Sequence, residues 1–320
     1  MLIKKERLSE HAEITGYIHE RNRELGEEMT YPTMLVLPGG GFRFCSAREG
    51  EPIAAAYYAK GYNTFVLDYT TVSKKPDAGI EDPMQDVQLA LAWLKEHEEE
   101  FHGTPHNTAM IGFSGGGHLA AASATHDELR PNALLLIYPG ILSNPARALD
   151  CPDIIERVDE QTPASFIIGS REDTVTPPRH QLAFAAALEK AEVDFELHIF
   201  PDGFHGMSLG TEVTASGNKT NIDPVYASWF DMSVRWLARK WKGIDSNGKS
   251  VANYTVDMPL SKLMKNEHVA VILKEKIPAF DQILQNSMAR TVPFNVIAQF
   301  EPDLLTPEMV EEISILLQTV

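Results

Sequence analysis

The sequence predicts an α/β fold: a mostly parallel central sheet with helices on both faces, followed by a small helical module at the C-terminal end. Three observations predict it. Short apolar runs such as Thr33–Leu37 and Ala133–Tyr138 alternate with helical patterns as far as Trp241, the arrangement that parallel strands and crossover helices require. Several of these runs are continuously apolar, as strands covered on both faces are. Beyond about residue 250 the strand pattern stops and only helical periodicity continues.

Taken in order, His11–Glu20 alternates apolar and polar residues and reads as an early edge strand. The charged stretch Asn22–Thr30 reads as a turn. Thr33-Met-Leu-Val-Leu37 is a buried strand that runs into Pro38-Gly39-Gly40-Gly41-Phe42. Glu51–Lys60 has helical spacing and stops at Gly61, a C-terminal cap. Asn63–Tyr69 is the next strand, Thr70–Pro83 a polar loop, and Met84–Glu100 an amphipathic helix with Val87, Ala90, Leu91 and Leu94 on one face. Thr108–Phe113 is a strand and Leu119–Ala124 the start of a helix. Ala133–Tyr138 and Ala164–Gly169 are strands, separated by the mixed segment Ile141–Thr162. His180–Ala191 is an alanine-rich helix, Val193–Phe200 a strand of period two, and Val225–Trp241 a packing helix. Lys242–Ser250 is a polar, glycine-containing linker. The domains are therefore 1–245, the α/β unit, and 250–320, the helical module. Ser261–Lys274, Ala279–Met288 and Pro307–Gln318 are its helices, and Thr306-Pro307-Glu308 is a good helix start. Two roles are open to this module: covering the edge where the strands end, or joining two subunits as a homo-oligomer.

The chain has 320 residues, 43% hydrophobic and 23% charged, with a formal charge of −17 from 45 acidic and 28 basic residues. That balance disfavours nucleic acid and anionic membrane surfaces as partners and suits neutral substrates such as esters or sugars. Two cysteines, Cys45 and Cys151, do not make a disulfide framework. Cys45 follows the glycine run, but no partner histidine lies near it in sequence, so it reads as buried filler. The N-terminus lacks an apolar signal region and no apolar run reaches membrane-spanning length, so a cytoplasmic location is expected. The sequons at Asn218 and Asn253 then carry no consequence.

Chemistry enters at Gly112-Phe-Ser114-Gly-Gly116, a G-x-S-x-G pattern between a strand and a helix. Glycines two places either side of the serine let strand and helix pass closely, so the hydroxyl stands proud at the positive end of the helix. A serine needs a base to take its proton, and the base needs a carboxylate to hold it in one tautomer. In the chain order Ser, acid, His, the fitting acid is Asp173, just after a strand, and the fitting base is His205, in a glycine-flanked turn after the last strand. Glu172 is a weaker rival for Asp173. His198 lies mid-strand, His118 packs or caps within the helix after Ser114, and His180 reads as a surface residue. His97, His102, His106 and His126 have no supporting pattern. An oxyanion hole needs preset N–H donors. Gly115 supplies one, and the run Gly39–Gly41 supplies others, most plausibly from Gly40 and Gly41. No H-E-x-x-H motif or clustered cysteine spacing points to a metal, and no cofactor is needed. Because strands of such sheets bind ligands beyond their carboxyl ends, Gly39–Gly41, Ser114, Asp173 and His205 should converge on one edge.

These motifs resemble the carbohydrate-esterase-type, acetyl xylan esterase-like branch of the α/β-hydrolase superfamily. The resemblance covers about Thr33–Trp241. It is carried by Pro38-Gly-Gly-Gly-Phe42, Arg48-Glu-Gly-Glu-Pro52, Gly61–Tyr69, Gly112–Ala120, Asp173-Thr-Val-Thr-Pro177 and Pro201-Asp-Gly-Phe-His-Gly206. It implies the α/β-hydrolase fold, Ser114 as nucleophile, Asp173 as acid, His205 as base, and removal of small acyl groups, especially acetyl, from sugars. In the wider lipase and esterase pattern a histidine precedes the glycine run; here Pro38 takes that place. Arg48, Glu49 and Glu51 read as a structural charge cluster near the oxyanion loop. Ile141–Thr162 is too short for a large lid, and the polar segment Met207–Pro224 is expected to line the pocket, which favours polar esters over long-chain lipids. Two other readings share the fold: a serine exopeptidase, and a non-catalytic binding scaffold.

Overall fold

Eight strands form one sheet in the order β1-β2-β4-β3-β5-β6-β7-β8. They are β1 (Leu2–Arg7), β2 (Glu13–Ile18), β3 (Tyr31–Leu37), β4 (Asn63–Asp68), β5 (Gly103–Phe113), β6 (Ala133–Ile137), β7 (Ala164–Ser170) and β8 (Phe195–Phe200). The pairs β1–β2 and β2–β4 are antiparallel, and every other pair is parallel. This computed structural model describes the chain except residues 23, 25–28, 127, 143–147, 152, 242–253, 279, 286, 303 and 318–320. It divides into two compact units, Met1–Trp241 and Lys242–Val320. The expected linker Lys242–Ser250 lies outside the described residues.

Register levels the carboxyl ends of the central strands. Leu37 pairs with Gly112, Phe113 with Ile137, Ile137 with Ile168, and Ser170 with Phe200. The turns that follow β3, β5, β7 and β8 therefore leave from one edge, and these turns carry the candidate site.

Continuous apolar strands serve two cores because successive side chains point to opposite faces. Leu134 and Leu136 join Leu35, Leu37 and Met110 in one cluster, while Leu135 and Ile137 join Met34, Val36 and Ile111 in the other. The first face is covered by α2 (Glu81–Glu96), α3 (Ser114–His126) and α4 (Arg179–Lys190). The second is covered by α1 (Glu51–Tyr58) and by α6 (Trp229–Trp241), which follows the short α5 (Pro224–Ala227). Trp229, Trp236 and Leu237 are the buried face of α6. Each such large apolar side chain contributes about 1.5–3 kcal/mol by burial.

Several sequence expectations are corrected. His11–Glu20 does hold a strand, but it is not the edge; β1 lies outside it. Its residues, Leu-Ile-Lys-Lys-Glu-Arg, are almost all exposed and lack apolar alternation. The strand is held instead by its ladder with β2 and by the ion pairs Lys4–Glu100 and Lys5–Glu13, and its lysines suit an exposed edge. The packing helix over Val225–Trp241 is broken at Ser228. The Ser228 hydroxyl donates to the Val225 carbonyl at 2.6 Å, a local bond that competes with the helical ladder. The described part of Ile141–Thr162 places Ile141, Leu149, Cys151 and Ile154 in the core.

The second unit contains, among the described residues, α7 (Leu260–Leu263), α8 (Glu267–Lys276), α9 (Phe280–Gln285), α10 (Ser287–Thr291), α11 (Phe294–Phe300) and α12 (Pro307–Leu317). Its core includes Leu260, Leu273, Phe294 and Ile313. The single helix expected over Ser261–Lys274 is divided because Asn266 accepts the Val269 N–H at 3.0 Å and caps α8. The helix α11 was not expected. Among the described residues no helix of the protein is long and apolar enough to cross a membrane.

Candidate active site

The turn from β5 into α3 is built for close passage. A Cβ on Gly112 would lie 2.3 Å from the Gly116 carbonyl oxygen, and one on Gly116 would lie 2.3 Å from that of Leu37 and 2.4 Å from that of Pro38. Only glycine lets α3 approach both strands. Between them Ser114 has φ +51°, in the left-handed region that costs a non-glycine residue. The strain turns its side chain out at the first residue of α3.

Ser114 Oγ lies 2.7 Å from His205 Nε2, and His205 Nδ1 lies 2.8 Å from Asp173 Oδ2. With Nδ1 protonated toward the carboxylate, Nε2 is the acceptor and the serine hydroxyl donates to it. Asp173 is 2% exposed. Its Oδ1 accepts the N–H groups of Val175 and Thr176, both at 2.8 Å, and its Oδ2 accepts the Thr176 hydroxyl at 2.9 Å. Burial pushes its carboxyl up, but the bonds from His205 and Thr176 and the facing imidazole outweigh that and hold it below its ordinary value. The group is thus an anion at neutral pH. The structure brings together Ser114, Asp173 and His205; Glu172 is exposed beside them.

The glycine turn after β3 meets this serine. Gly40 has φ +128° and Gly41 φ +60°. A Cβ on Gly40 would lie 1.9 Å from the Phe44 carbonyl oxygen. The Cβ position of Gly115 is 3.2 Å from both Cα and N of Gly41, so the two backbones touch. Among the described residues the N–H groups of Gly40 and Gly41 have no protein acceptor, and Gly115 lies in the first turn of α3, where N–H groups have no intrahelical partner. Gly40, Gly41 and Gly115 line one cleft of about 440 Å³ with Ser114 and His205.

A buried brace joins that turn to the loop carrying His205. Glu49 is 4% exposed. Its Oε2 accepts the Gly39 N–H at 2.8 Å, and its Oε1 accepts the Tyr138 hydroxyl at 2.5 Å. The Tyr138 oxygen accepts the Ser208 N–H at 3.0 Å, and the Tyr138 ring meets that of His205 at 5.2 Å between centroids. Arg48 donates to the carbonyls of Gly206 at 2.8 Å and Thr214 at 2.5 Å. Burial pushes the Glu49 carboxyl up despite its bonds. The expected charge cluster thus divides: Arg48 and Glu49 are built into the site's support, while Glu51 is exposed at the start of α1.

Other candidates take different places. His118 is buried and its Nδ1 bonds the Gly140 carbonyl at 2.7 Å. His180, expected at the surface, is 3% exposed and its Nδ1 accepts the Leu142 N–H at 3.1 Å; this residue of the first turn of α4 faces the loop after β6, while its neighbours Arg179 and Leu182 are exposed. His198 pairs with Glu196 at 2.9 Å. Cys45 is half-buried with Sγ 3.9 Å from the Tyr69 carbonyl, and burial pushes its thiol up, away from a nucleophilic thiolate. The segment Met207–Pro224, expected to line the pocket, contributes no lining residue; Gly206 does, and Met207, Ser208 and Thr214 are buried. They are held down by Arg48 and Tyr138. Thr176 was not singled out from the sequence, although Asp-x-x-Thr after a strand is the spacing of an aspartate that accepts the next turn's N–H groups. Among the described residues no group of three or more His, Cys, Asp or Glu side chains is placed to share a metal ion.

Comparison with known proteins points to hydrolases of this fold. Residues 23–133 match the family described as BD-FAE, and residues 150–219 match the prolyl oligopeptidase family. The endo-1,4-β-xylanase B of Butyrivibrio fibrisolvens is 30% identical over 231 residues, 63% of this chain and 35% of that protein. The acetylxylan esterase of Xylanibacter ruminicola is 26% identical over 211 residues, 58% of this chain and 43% of that protein. The chain thus spans less than half the length of both curated relatives. Among solved structures, the α/β-hydrolase enzyme MGS-M1 from a Medee basin deep-sea metagenome library is 38% identical, with a TM-score of 0.71, over 76% of this chain and 98% of that one.

Proposed function

The chain belongs to the α/β-hydrolase family, and from that premise we propose that it is a serine carboxylic-ester hydrolase that removes small acyl groups, acetyl foremost, from sugars or oligosaccharides. What carries the proposal is the hydrogen-bonded chain Ser114–His205–Asp173 at 2.7 and 2.8 Å, beside the N–H groups of Gly40 and Gly41, which have no acceptor among the described residues. Ser114 Oγ attacks the ester carbonyl carbon as His205 Nε2 takes its proton, and Asp173 stabilises the imidazolium. The carbonyl oxygen becomes an anion held by the N–H groups of Gly40, Gly41 and Gly115. The imidazolium returns its proton to the departing sugar oxygen, leaving Ser114 acylated. Water then attacks, His205 takes the water's proton and passes it to Ser114 Oγ, and the serine is released as the acid leaves.

The acetyl-sugar preference is supported by likeness to an acetylxylan esterase and a xylanase and by a cleft whose lining sets the exposed Phe44 ring beside glycines and polar side chains, a surface a sugar can occupy. A second reading, a serine exopeptidase, is favoured by the match of residues 150–219 to the prolyl oligopeptidase family. Acetate release from acetylated xylo-oligosaccharides, set beside a panel of peptide nitroanilides, tests both. Turnover of the nitroanilides alone would replace the first reading with the second.

A further inference from the structure

We propose that the protein favours esters whose alcohol part carries an anion, acylated sugar acids foremost; this inference rests on the ester-hydrolase reading above. Its basis is a local reversal of charge. The whole chain carries 45 acidic and 28 basic residues, which suggests neutral substrates. The cleft around Ser114 is different: two guanidiniums, Arg43 and Arg48, line it, its single acidic lining residue, Glu49, is buried, and the Asp173 carboxylate behind it is buried against His205. An exposed arginine is ordinarily a solvated surface charge. Here Arg43 is exposed in the wall of the candidate site and has no carboxylate partner or side-chain hydrogen bond among the described residues. The Arg48 guanidinium is engaged by the neutral carbonyls of Gly206 and Thr214, with the buried Glu49 carboxyl as its electrostatic neighbour. Burial raises the Glu49 carboxyl and weakens it as a counter-charge.

We assign these cations to the alcohol part of the ester, on the strength of Arg48's contact beside His205. The departing alcohol must take its proton at His205 Nε2, and Arg48 is tied to Gly206, the next residue along. Phe44, adjacent to Arg43, leaves 57% of its surface exposed on the same wall. A sugar can lay an apolar ring face on Phe44 while an anionic substituent meets Arg43. The protein's overall negative charge acts at longer range and is screened over about 8 Å at physiological salt, whereas a guanidinium–carboxylate contact acts directly. A carboxylate and a phosphate would be read by the same guanidinium.

The test compares kcat/KM for three matched acetyl esters: a methyl glucuronoside, the neutral methyl glucoside, and a sugar phosphate. The wild-type protein is expected to favour the uronoside over the glucoside by about fivefold at low salt, the scale of one exposed ion pair. Arg43→Gln should bring that ratio toward one, Arg43→Lys should keep part of it, and added salt should shrink it in the wild type. A phosphate ester ranking above the uronoside supports an anion site and identifies a dianion as its better occupant. A wild-type uronoside-to-glucoside ratio of one or below, or a ratio unchanged in Arg43→Gln, overturns the inference while hydrolysis of the neutral ester leaves the esterase reading standing. Failure to hydrolyse any ester overturns both.

Discussion

Replacing Glu49 should separate its role as a brace from its charge. Glu49→Ala removes the acceptor for two buried donors, the Gly39 N–H and the Tyr138 hydroxyl. A buried donor left without a partner costs about 1–3 kcal/mol, so the pair predicts a loss of about 2–6 kcal/mol in unfolding free energy. Glu49→Gln keeps the volume and the acceptor for Gly39, but its amide nitrogen cannot accept the Tyr138 hydroxyl. One buried donor rather than two is left unpaired, and a loss of about 1–3 kcal/mol is expected. Linkage gives a second signature. The folded-state value of Glu49 is raised by burial, so the folded protein holds a proton that the unfolded chain releases. Its contribution to stability is fully present below the ordinary carboxylate range and declines as pH rises toward the folded value. The wild type should therefore lose urea stability over that window relative to Glu49→Gln. The assay is urea unfolding across pH, with ester kcat/KM measured in parallel. Because Gly39 adjoins the oxyanion glycines, Glu49→Ala should also lower kcat more than it raises KM. An alanine variant within about 1 kcal/mol of wild type, with unchanged kcat, would refute the brace.

Further outcomes follow from the same geometry. Asp173→Asn keeps the shape but lets His205 adopt the wrong tautomer, and kcat on a short acyl ester should fall by about 10⁴. Asp173 contributes with the opposite pH sign to Glu49. Its carboxyl is depressed in the folded state, so its stabilisation is present above the ordinary aspartate value and is lost as pH falls through the folded one; acid unfolding of wild type should be steeper than that of Asp173→Asn. Gly116→Ala would put a methyl 2.3 Å from the Leu37 carbonyl oxygen, and a thermal-unfolding measurement should show a loss of at least about 1–3 kcal/mol.

The sequence was most legible where backbone geometry leaves a chemical trace. Gly112 and Gly116 can be read as a tight strand-to-helix passage because no other residue fits there. The continuous apolar runs marked the central strands, and their register carried Gly40, Gly41, Ser114, Asp173 and His205 to one edge. Legibility failed where tertiary partners decide. The strand β1 is nearly all exposed and depends on β2, so it has no pattern of its own. His180 looks like a surface histidine after two prolines and is buried only because α4 turns it toward Leu142. Glu49 and Tyr138 are 89 residues apart in sequence; nothing local marks them as one network. Met207–Pro224 is polar in composition, yet Arg48 and Tyr138 hold part of it away from the cleft it was expected to line.

The central claim is that Ser114 becomes acylated. Rapid-quench mass analysis of the protein mixed with 4-nitrophenyl acetate measures this directly. A burst of nitrophenol matched by one acetyl group per chain, located at Ser114, is expected. Ser114→Ala should show no adduct and a kcat lower by on the order of 10⁶. An acetyl adduct on Cys45, or a Ser114→Ala variant that keeps most of its activity, would rule out Ser114 as the nucleophile.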